Sequence, residues 1–298
     1  MIKKLVRLSV IFLLLLLLGG LIYWKTTKRP APVSSLPPRP APAEKNPRTS
    51  GASPANPSGD LSAAGPAVKK ESAPPAEVFA PRPGETLEYD ATVTKLNSTV
   101  ANLKLTVNEK RPFGGKPSWH FQAFAHTENP YRMVFELDDQ FDSYSDARNM
   151  TSLQYEMHLN ERGQKVDSVQ RLLPSVEDPP PDGATAARVL PGTRDPLGLL
   201  EFLRAVDWSK TPEVESPVYD GRKLYDTRAT VRSSATAVTV PAGKFTATKI
   251  EIRVFDNGTE MKDAHFFLYL GNDPARTPVL MEAVLPVATA RVELTRAK

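Results

Sequence analysis

The chain has 298 residues, contains no cysteine and carries a formal net charge of +4. The absence of cysteine excludes a disulfide framework, a cysteine-ligated zinc site, a thiol nucleophile and the lipid-modified cysteine of a bacterial lipoprotein. Residues 1–82 hold twelve Lys or Arg and four Asp or Glu; subtracting these from the chain's 38 and 34 leaves 26 basic and 30 acidic residues. The part of the chain after residue 82 is therefore mildly acidic, and its Lys and Arg residues do not form a stripe, so we expect no nucleic-acid partner.

Residues 1–29 predict an N-terminal signal anchor. The segment from Leu5 to Trp24 is apolar apart from Arg7 and Ser9, and about 20 helical residues match the roughly 30 Å hydrocarbon core of a bilayer. A cleaved secretory signal is the alternative, since Lys3 and Lys4 precede a leucine run. No small-x-small processing site follows that run, which favours an anchor that is retained.

The orientation of this anchor is not decided by charge, because three basic residues lie before or at the start of the segment and three follow it closely (Lys3, Lys4 and Arg7; Lys25, Lys28 and Arg29). The free amino terminus adds one positive charge on the N-terminal side of the segment. The rest of the chain contains no cysteine and resembles an exported β-rich domain. We therefore expect a single-pass protein of the inner (cytoplasmic) membrane, with its C-terminal domain periplasmic or otherwise extracytoplasmic.

Residues 30–83 predict a disordered, proline-rich linker. They contain fourteen prolines in 54 residues and show no hydrophobic periodicity, so they cannot form a core. An extended polyproline conformation rises about 3.1 Å per residue, which gives a contour approaching roughly 170 Å. A plain spacer is the favoured interpretation; a motif such as Pro37–Pro40 is alternatively a ligand for an aromatic groove.

Residues 84–298 predict an antiparallel β-roll domain, because apolar and polar residues alternate with a period of two. The first two runs, Leu87–Val93 and Ala101–Val107, are separated by the turn residues Asn97-Ser98 and predict a hairpin. Similar runs recur to the C-terminus, with breaks that contain proline, glycine or asparagine. The predicted fold class is all-β, with a rolled or barrel-like sheet.

One segment, Asp195–Val206, predicts a short apolar helix. Asp195 provides an N-capping carboxylate and Pro196 occupies the first helical position, where a missing N–H costs nothing. The leucines that follow form a broad apolar stripe. We expect this helix to pack against the concave face of the sheet or to close one end of the roll; a helix that gates a lipid-like cavity is the functional alternative.

Five short sequence motifs resemble those of the bacterial family called "domain of unknown function 3108". They occur in the family's order and are spread over nearly all of the chain after Gly84. The motifs are Gly84–Asp90, Asp142–Asp146, Pro191–Leu197, Val218–Tyr225 and Val240–Phe245. The resemblance implies an exported antiparallel β-roll without an assigned activity. The proline-rich insertion at Asp178–Asp182 departs from the family pattern and predicts a surface loop.

The four histidines do not indicate a metal site or a catalytic site. None of His120, His126, His158 and His265 lies in a metal-spaced pair. Strand parity places His120 and His126 opposite the apolar Trp119, which predicts that both are solvated. We therefore expect no catalytic residue, no metal ligand and no cofactor, and the binding residues are unknown.

The densest acidic group is Asp138, Asp139, Asp142 and Asp146, and it superficially suggests calcium. The order of ligands in an EF-hand is missing, so a polar strand face is the favoured interpretation. The motifs of serine hydrolases and P-loop enzymes are also missing.

Two functions follow as expectations. The first is a non-catalytic, membrane-anchored envelope protein whose β-roll binds a lipid, a glycan or a partner protein. The alternative is a hydrolase-like enzyme that acts on an envelope polymer through carboxylates on the concave face, which the sequence neither establishes nor rules out.

Overall fold

The computed structural model describes residues 79–94, 96, 98–174, 185–263, 265–286 and 288–298. The predicted anchor (1–29), most of the predicted linker and the predicted loop at Asp178–Asp182 lie outside these residues. Among the helices that the structure describes, none has the length and apolar character needed to cross a membrane.

The described residues form fourteen strands, one α-helix and one short 3-10 helix. The strands are β1 (Thr86–Val93), β2 (Thr99–Phe113), β3 (Lys116–Thr127), β4 (Asp138–Asp146), β5 (Ser152–Glu161), β6 (Gln164–Leu173), β7 (Thr185–Arg188), β8 (Glu213–Tyr219), β9 (Leu224–Val240), β10 (Gly243–Asp256), β11 (Thr259–Glu260), β12 (His265–Gly271), β13 (Pro278–Val284) and β14 (Thr289–Ala297). The α-helix, α1 (Pro196–Ala205), lies between β7 and β8, and the 3-10 helix (Tyr131–Met133) lies between β3 and β4.

All strands belong to one sheet, in the order β7-β6-β5-β4-β3-β2-β1-β14-β13-β12-β10-β9-β8, with β11 paired to β10. The pair β6–β7 is parallel and the other described pairs are antiparallel. In β1, alternate residues are buried, as the period of two predicts. The predicted all-β class and the predicted first hairpin are both confirmed.

The sheet is rolled, because the segment before α1 links strands near its two ends. Ser152 on β5 donates its backbone N–H to the carbonyl of Thr193 (3.1 Å). Arg194 donates its N–H to the carbonyl of Pro217 (3.0 Å), and Tyr219 on β8 donates to the carbonyl of Arg194 (2.8 Å). Since β7 and β8 are the ends of the hydrogen-bonded order, these bonds curve the sheet around α1.

The helix α1 fills the concave side of the roll. Its ten residues are all buried, and it packs against β3, β4 and β8. The carboxylate of Asp195 caps it by accepting the N–H groups of Leu197 and Gly198, each at 2.9 Å. A Cβ at Gly198 would lie 2.7 Å from the hydroxyl oxygen of Ser152, so glycine permits this close approach. The predicted helix and its predicted cap are confirmed.

A buried ion-pair network fixes the other end of α1. Arg204, only 1% exposed, contacts the carboxylates of Glu201 and Glu85 at 2.8 Å each. Its guanidinium also donates to the carbonyl of Ala275 (3.0 Å) and lies 4.9 Å from the ring centre of Phe79. The network therefore ties the helix to the start of the domain and to the β12–β13 turn.

Arg204→Met tests this network. The change leaves Glu201 buried without its cation and leaves Glu85 with only the exposed Arg82, so we expect the free energy of unfolding to fall by about 3–5 kcal/mol. Urea denaturation followed by circular dichroism measures the loss. Arg296→Met is the matched control, because Arg296 forms an exposed pair with Glu88 that solvent screens, so little stability should be lost. Equal stabilities of the two variants would contradict the assigned role of Arg204.

Candidate functional site

The convex side of strands β3 to β6 carries a continuous group of polar side chains, which we call the outer polar face. It consists of His120, Gln122, Gln140, Asp142, Gln154, Glu156, His158 and Asp167. These residues alternate with buried neighbours such as Phe121, Phe141 and Tyr155, whose side chains point to the core. The alternation follows from the pleat, which sends successive side chains to opposite faces of a strand.

The strand register brings these outward residues together. Gln122 on β3 lies opposite Asp142 on β4, and Asp142 lies opposite Glu156 on β5. His158 follows two positions later on β5 and lies opposite Asp167 on β6. Neighbouring strands are about 4.8 Å apart, so residues paired in this way are within reach of one another.

Asp142 is the centre of the outer polar face. It is 4% exposed and accepts three side-chain hydrogen bonds, from His120 Nε2 (2.6 Å), Gln122 Nε2 (2.9 Å) and Gln140 Nε2 (2.8 Å). Burial by itself would raise its pKa, but the hydrogen bonds outweigh burial and the pKa lies below its usual value. Asp142 is therefore held as a carboxylate at neutral pH.

Glu156 and His158 form the second half of this face. His158 Nδ1 lies 2.8 Å from the carboxylate of Asp167, and its Nε2 lies 3.4 Å from Oε2 of Glu156. The hydrogen bond to Asp167 is the main reason that the pKa of His158 is raised. Gln154 donates to Oε1 of Glu156 at 2.5 Å. Each acidic or basic group of the face thus has at least one oriented neighbour.

A column of stacked planar groups borders the outer polar face. The ring of Tyr144 lies between those of His120 (centroids 4.6 Å apart) and Phe113 (4.4 Å), and the guanidinium of Arg171 covers Phe113 at 4.3 Å. Stacked rings and cation–π contacts fix the rotamers of these side chains. The column holds His120 in place against Asp142.

The pocket beside α1, on the concave side, is small. A pocket of about 10 Å³ lies between α1 and strands β1 to β3, and Glu85, Glu201 and Arg204 are among its lining residues. That volume is close to the space of a single water molecule. The two carboxylates at this pocket are already engaged by Arg204.

The histidines that the sequence analysis considered lie at separate places in the sheet. His120 and His126 face away from the core, as predicted; His126 contacts Glu128, whereas His120 is half-buried beside Asp142. His265 lies on β12, far along the sheet order, with Glu251 at 3.8 Å.

The four aspartates do not share one face. Asp138, Asp142 and Asp146 have the outward parity of β4, but Asp139 points to the core and is 1% exposed. Its Oδ1 accepts the backbone N–H of Asn160 (2.9 Å). Burial raises the pKa of Asp139 to about 7. The predicted polar strand face is correct for the even-numbered positions only.

Sequence reasoning missed Gln154 and Glu156. Both alternate with Tyr155 and Met157, which predicted the buried face of the same strand. The pattern Glu156-Met157-His158 therefore already placed an acid and a histidine on one face. Their proximity to Asp142 depends on the pairing of β4 with β5, which the sequence does not specify.

The rolled sheet and its internal helix define an all-β, barrel-like domain. The chain belongs to the family "Protein of unknown function (DUF3108)", whose model matches residues 88–295. The resemblance seen in the sequence is thereby confirmed. None of the curated proteins matches the chain.

Solved structures with related folds have low sequence identity to the chain. A β-barrel-like protein of domain of unknown function DUF1849 from Brucella abortus is 14% identical, with a TM-score of 0.49, over 72% of this chain and 97% of that one. A candidate lipoprotein from Parabacteroides distasonis ATCC 8503 is 11% identical, with a TM-score of 0.35, over 74% and 98%. At these scores the similarities carry no inference about activity or ligands.

Asp139→Asn tests the buried aspartate through pH. The pKa of Asp139 in the folded state, about 7, is above the ordinary pKa of an aspartate, so the folded state binds the proton more tightly than the unfolded state. The stability that this proton provides is complete below about pH 4 and is lost as the pH rises through 7. Asparagine keeps the oxygen that accepts the N–H of Asn160 but carries no charge. The free energy of unfolding of Asp139→Asn, relative to that of the wild type, should therefore increase by about 3–4 kcal/mol between pH 4 and 8.

The measurement is the free energy of unfolding in urea at several pH values. Asp138→Asn is the control, because the hydrogen bond from Arg132 lowers the pKa of Asp138 and its pH dependence has the opposite sign. A difference between wild type and Asp139→Asn that does not change with pH would show that Asp139 is not a titrating buried acid.

Proposed function

We propose that this chain is a non-catalytic binding protein of the cell envelope, which takes up a glycan on its outer polar face. Residues 1–29 hold it at the inner membrane and residues 30–83 space the domain from the bilayer. A spacer with a contour of roughly 170 Å suits a domain that works at a distance from the lipid surface. The C-terminal domain is extracytoplasmic in this proposal.

The filled concave side argues against a lipid carrier. A site for a small molecule usually offers roughly 300 Å³ or more. The pocket beside α1 has about 10 Å³, and the helix side chains occupy the space that a lipid tail would need. Of the three ligand classes expected from the sequence, a lipid held inside the roll is therefore the least supported.

The same pocket argues against the hydrolase alternative. That alternative needs two carboxylates on the concave face with room for a sugar ring between them. Glu85 and Glu201 are the carboxylates that line the pocket, and both are bound to Arg204. Neither carboxylate has space beside it for a polymer chain.

The observation that carries the proposal is an exposed aromatic ring that lies on the same side of the sheet as the outer polar face and next to it. Phe124 on β3 is 41% exposed and lies opposite Gln140 on β4, with Gln122 two positions earlier on the same face. A flat aromatic ring packs against the C–H face of a pyranose, and planar carboxamides both donate to and accept from pairs of hydroxyl groups. Sugars are the ligand class that uses both.

The rigidity of the face also supports binding. Its side chains are ordered by the hydrogen bonds to Asp142 and by the stack on Tyr144. A ligand that meets pre-oriented groups loses less conformational entropy on binding. A strand surface whose only contact is with water has no need for side chains held in single rotamers.

Phe124→Ala tests the proposal. The full chain, purified in detergent, is sedimented with peptidoglycan sacculi as the glycan probe, and a glycan array extends the search. Removal of the ring should weaken binding roughly three- to tenfold, the loss of one aromatic contact of about 0.5–1.5 kcal/mol. Met133→Ala is the control, since Met133 is 86% exposed but lies in the 3-10 helix and not on the outer polar face.

The outcome also separates a glycan from a protein partner. A photo-crosslinking residue at position 124 reports what touches this face in cells. If the wild-type chain binds neither sacculi nor any arrayed glycan while the crosslinker captures a protein, the glycan proposal is wrong. Equal binding by Phe124→Ala and wild type would move the site away from this face.

A further inference from the structure

Three side chains on β4 and β5 converge in the manner of a metal site. Asp142, Glu156 and His158 each present one ligand atom, and these atoms lie within 4.8 Å of one another. The geometry follows from the register: Asp142 faces Glu156 across the strand pair, and His158 is two residues from Glu156 on the same face. The group combines an imidazole nitrogen with two carboxylate oxygens.

The separation of two of these ligand atoms fits a tetrahedral ion. Nε2 of His158 lies 3.4 Å from Oε2 of Glu156. Zinc binds imidazole nitrogen and carboxylate oxygen at about 2.0–2.2 Å, so two of its tetrahedral ligands lie about 3.4 Å apart. These two atoms are already at the distance needed to share one ion, whereas the Asp142 oxygen lies within 4.8 Å and must approach by up to about 1.4 Å.

The hydrogen bonds of His158 point its lone pair at the acid. Nδ1 lies 2.8 Å from Oδ1 of Asp167, and a carboxylate can only accept, so Nδ1 carries the proton. In the neutral ring Nε2 then has a lone pair, and it faces an oxygen of Glu156 that has lone pairs as well. A metal ion placed between these two atoms would be bound by a lone pair from each.

Residues around the three ligands act as a supporting layer. Asp167 on the distal nitrogen of His158 gives the carboxylate–histidine arrangement that orients metal-bound imidazoles. Gln154 donates to the second oxygen of Glu156, and both Gln140 and His120 donate to Asp142. These hydrogen bonds restrict the rotamers of the two carboxylates on β4 and β5.

We propose that Asp142, Glu156 and His158 bind a divalent transition-metal ion, with zinc as the best fit. An imidazole ligand favours zinc, copper, iron or nickel over calcium and magnesium, which prefer all-oxygen sites. Three protein ligands leave one tetrahedral position for water or for an atom of a bound molecule. The inference rests on the ligand geometry and does not require that the outer polar face binds a glycan.

The site was not expected from spacing alone. Histidine pairs at fixed intervals on a helix are recognisable in a sequence, whereas this group is assembled across two strands. His265 provides an internal comparison, because it also lies beside a carboxylate, that of Glu251 at 3.8 Å, but without a second acid among the ligand groups of the described residues.

Zinc binding by the full chain tests the proposal. Native mass spectrometry gives the stoichiometry and isothermal titration calorimetry with zinc chloride gives the affinity. We expect one zinc per chain in the wild type, at least tenfold weaker binding by His158→Gln, and roughly ten- to a hundredfold weaker binding by the positioning variant Asp167→Asn. His265→Gln is the matched control and should bind as the wild type does.

Each alternative outcome contradicts the proposal. If wild type takes up no zinc at micromolar concentrations, Asp142, Glu156 and His158 do not form a metal site. If His158→Gln and His265→Gln lose affinity equally, or neither loses it, the ion binds elsewhere. Thermal unfolding checks that each variant is folded, and Glu156→Gln replaces His158→Gln if the latter is not. No glycan is present in this assay, so its result is independent of the sacculus assay.

Discussion

The enclosure of α1 by the sheet is the constraint on which the rest of this structure depends. A helix with ten buried residues needs every polar group at its ends satisfied inside the protein. Asp195 satisfies the N-terminal N–H groups, and Arg204 and its two carboxylates anchor the C-terminal end. Because the segment before the helix also bonds to β5 and β8, the helix and the curvature of the sheet form together.

This enclosure determines where a ligand can bind. The concave side of a rolled sheet is the usual place for a ligand in open barrels, but here it is occupied by leucine and phenylalanine side chains of the chain's own helix. A molecule recognised by this domain must then meet the convex side, a loop or an edge. The outer polar face is the part of the convex side where polar groups are both numerous and held in place.

The outer polar face also differs in energy from an ordinary solvated strand surface. Asp142 is almost fully withdrawn from water, and its charge is maintained by three side-chain donors. Burial of a carboxylate is costly unless such partners are present, so the network must form as a unit. The packing of the core on the opposite face of the sheet does not need this hydrogen-bond network. The glycan proposal and the metal proposal each give a separate functional reason for the network.

The sequence by itself determined the local features of this domain, because they depend on neighbours in the chain. The alternation of apolar and polar residues determined the strands and their buried face. The Asp195-Pro196 pair determined the start of α1, and the family motifs indicated the fold. Apart from the first hairpin, β1–β2, only the tertiary structure decided which strands are neighbours. The pairing of β4 with β5 brings Asp142 to Glu156, and no local pattern encodes that register, since it results from the core packing of the opposite face.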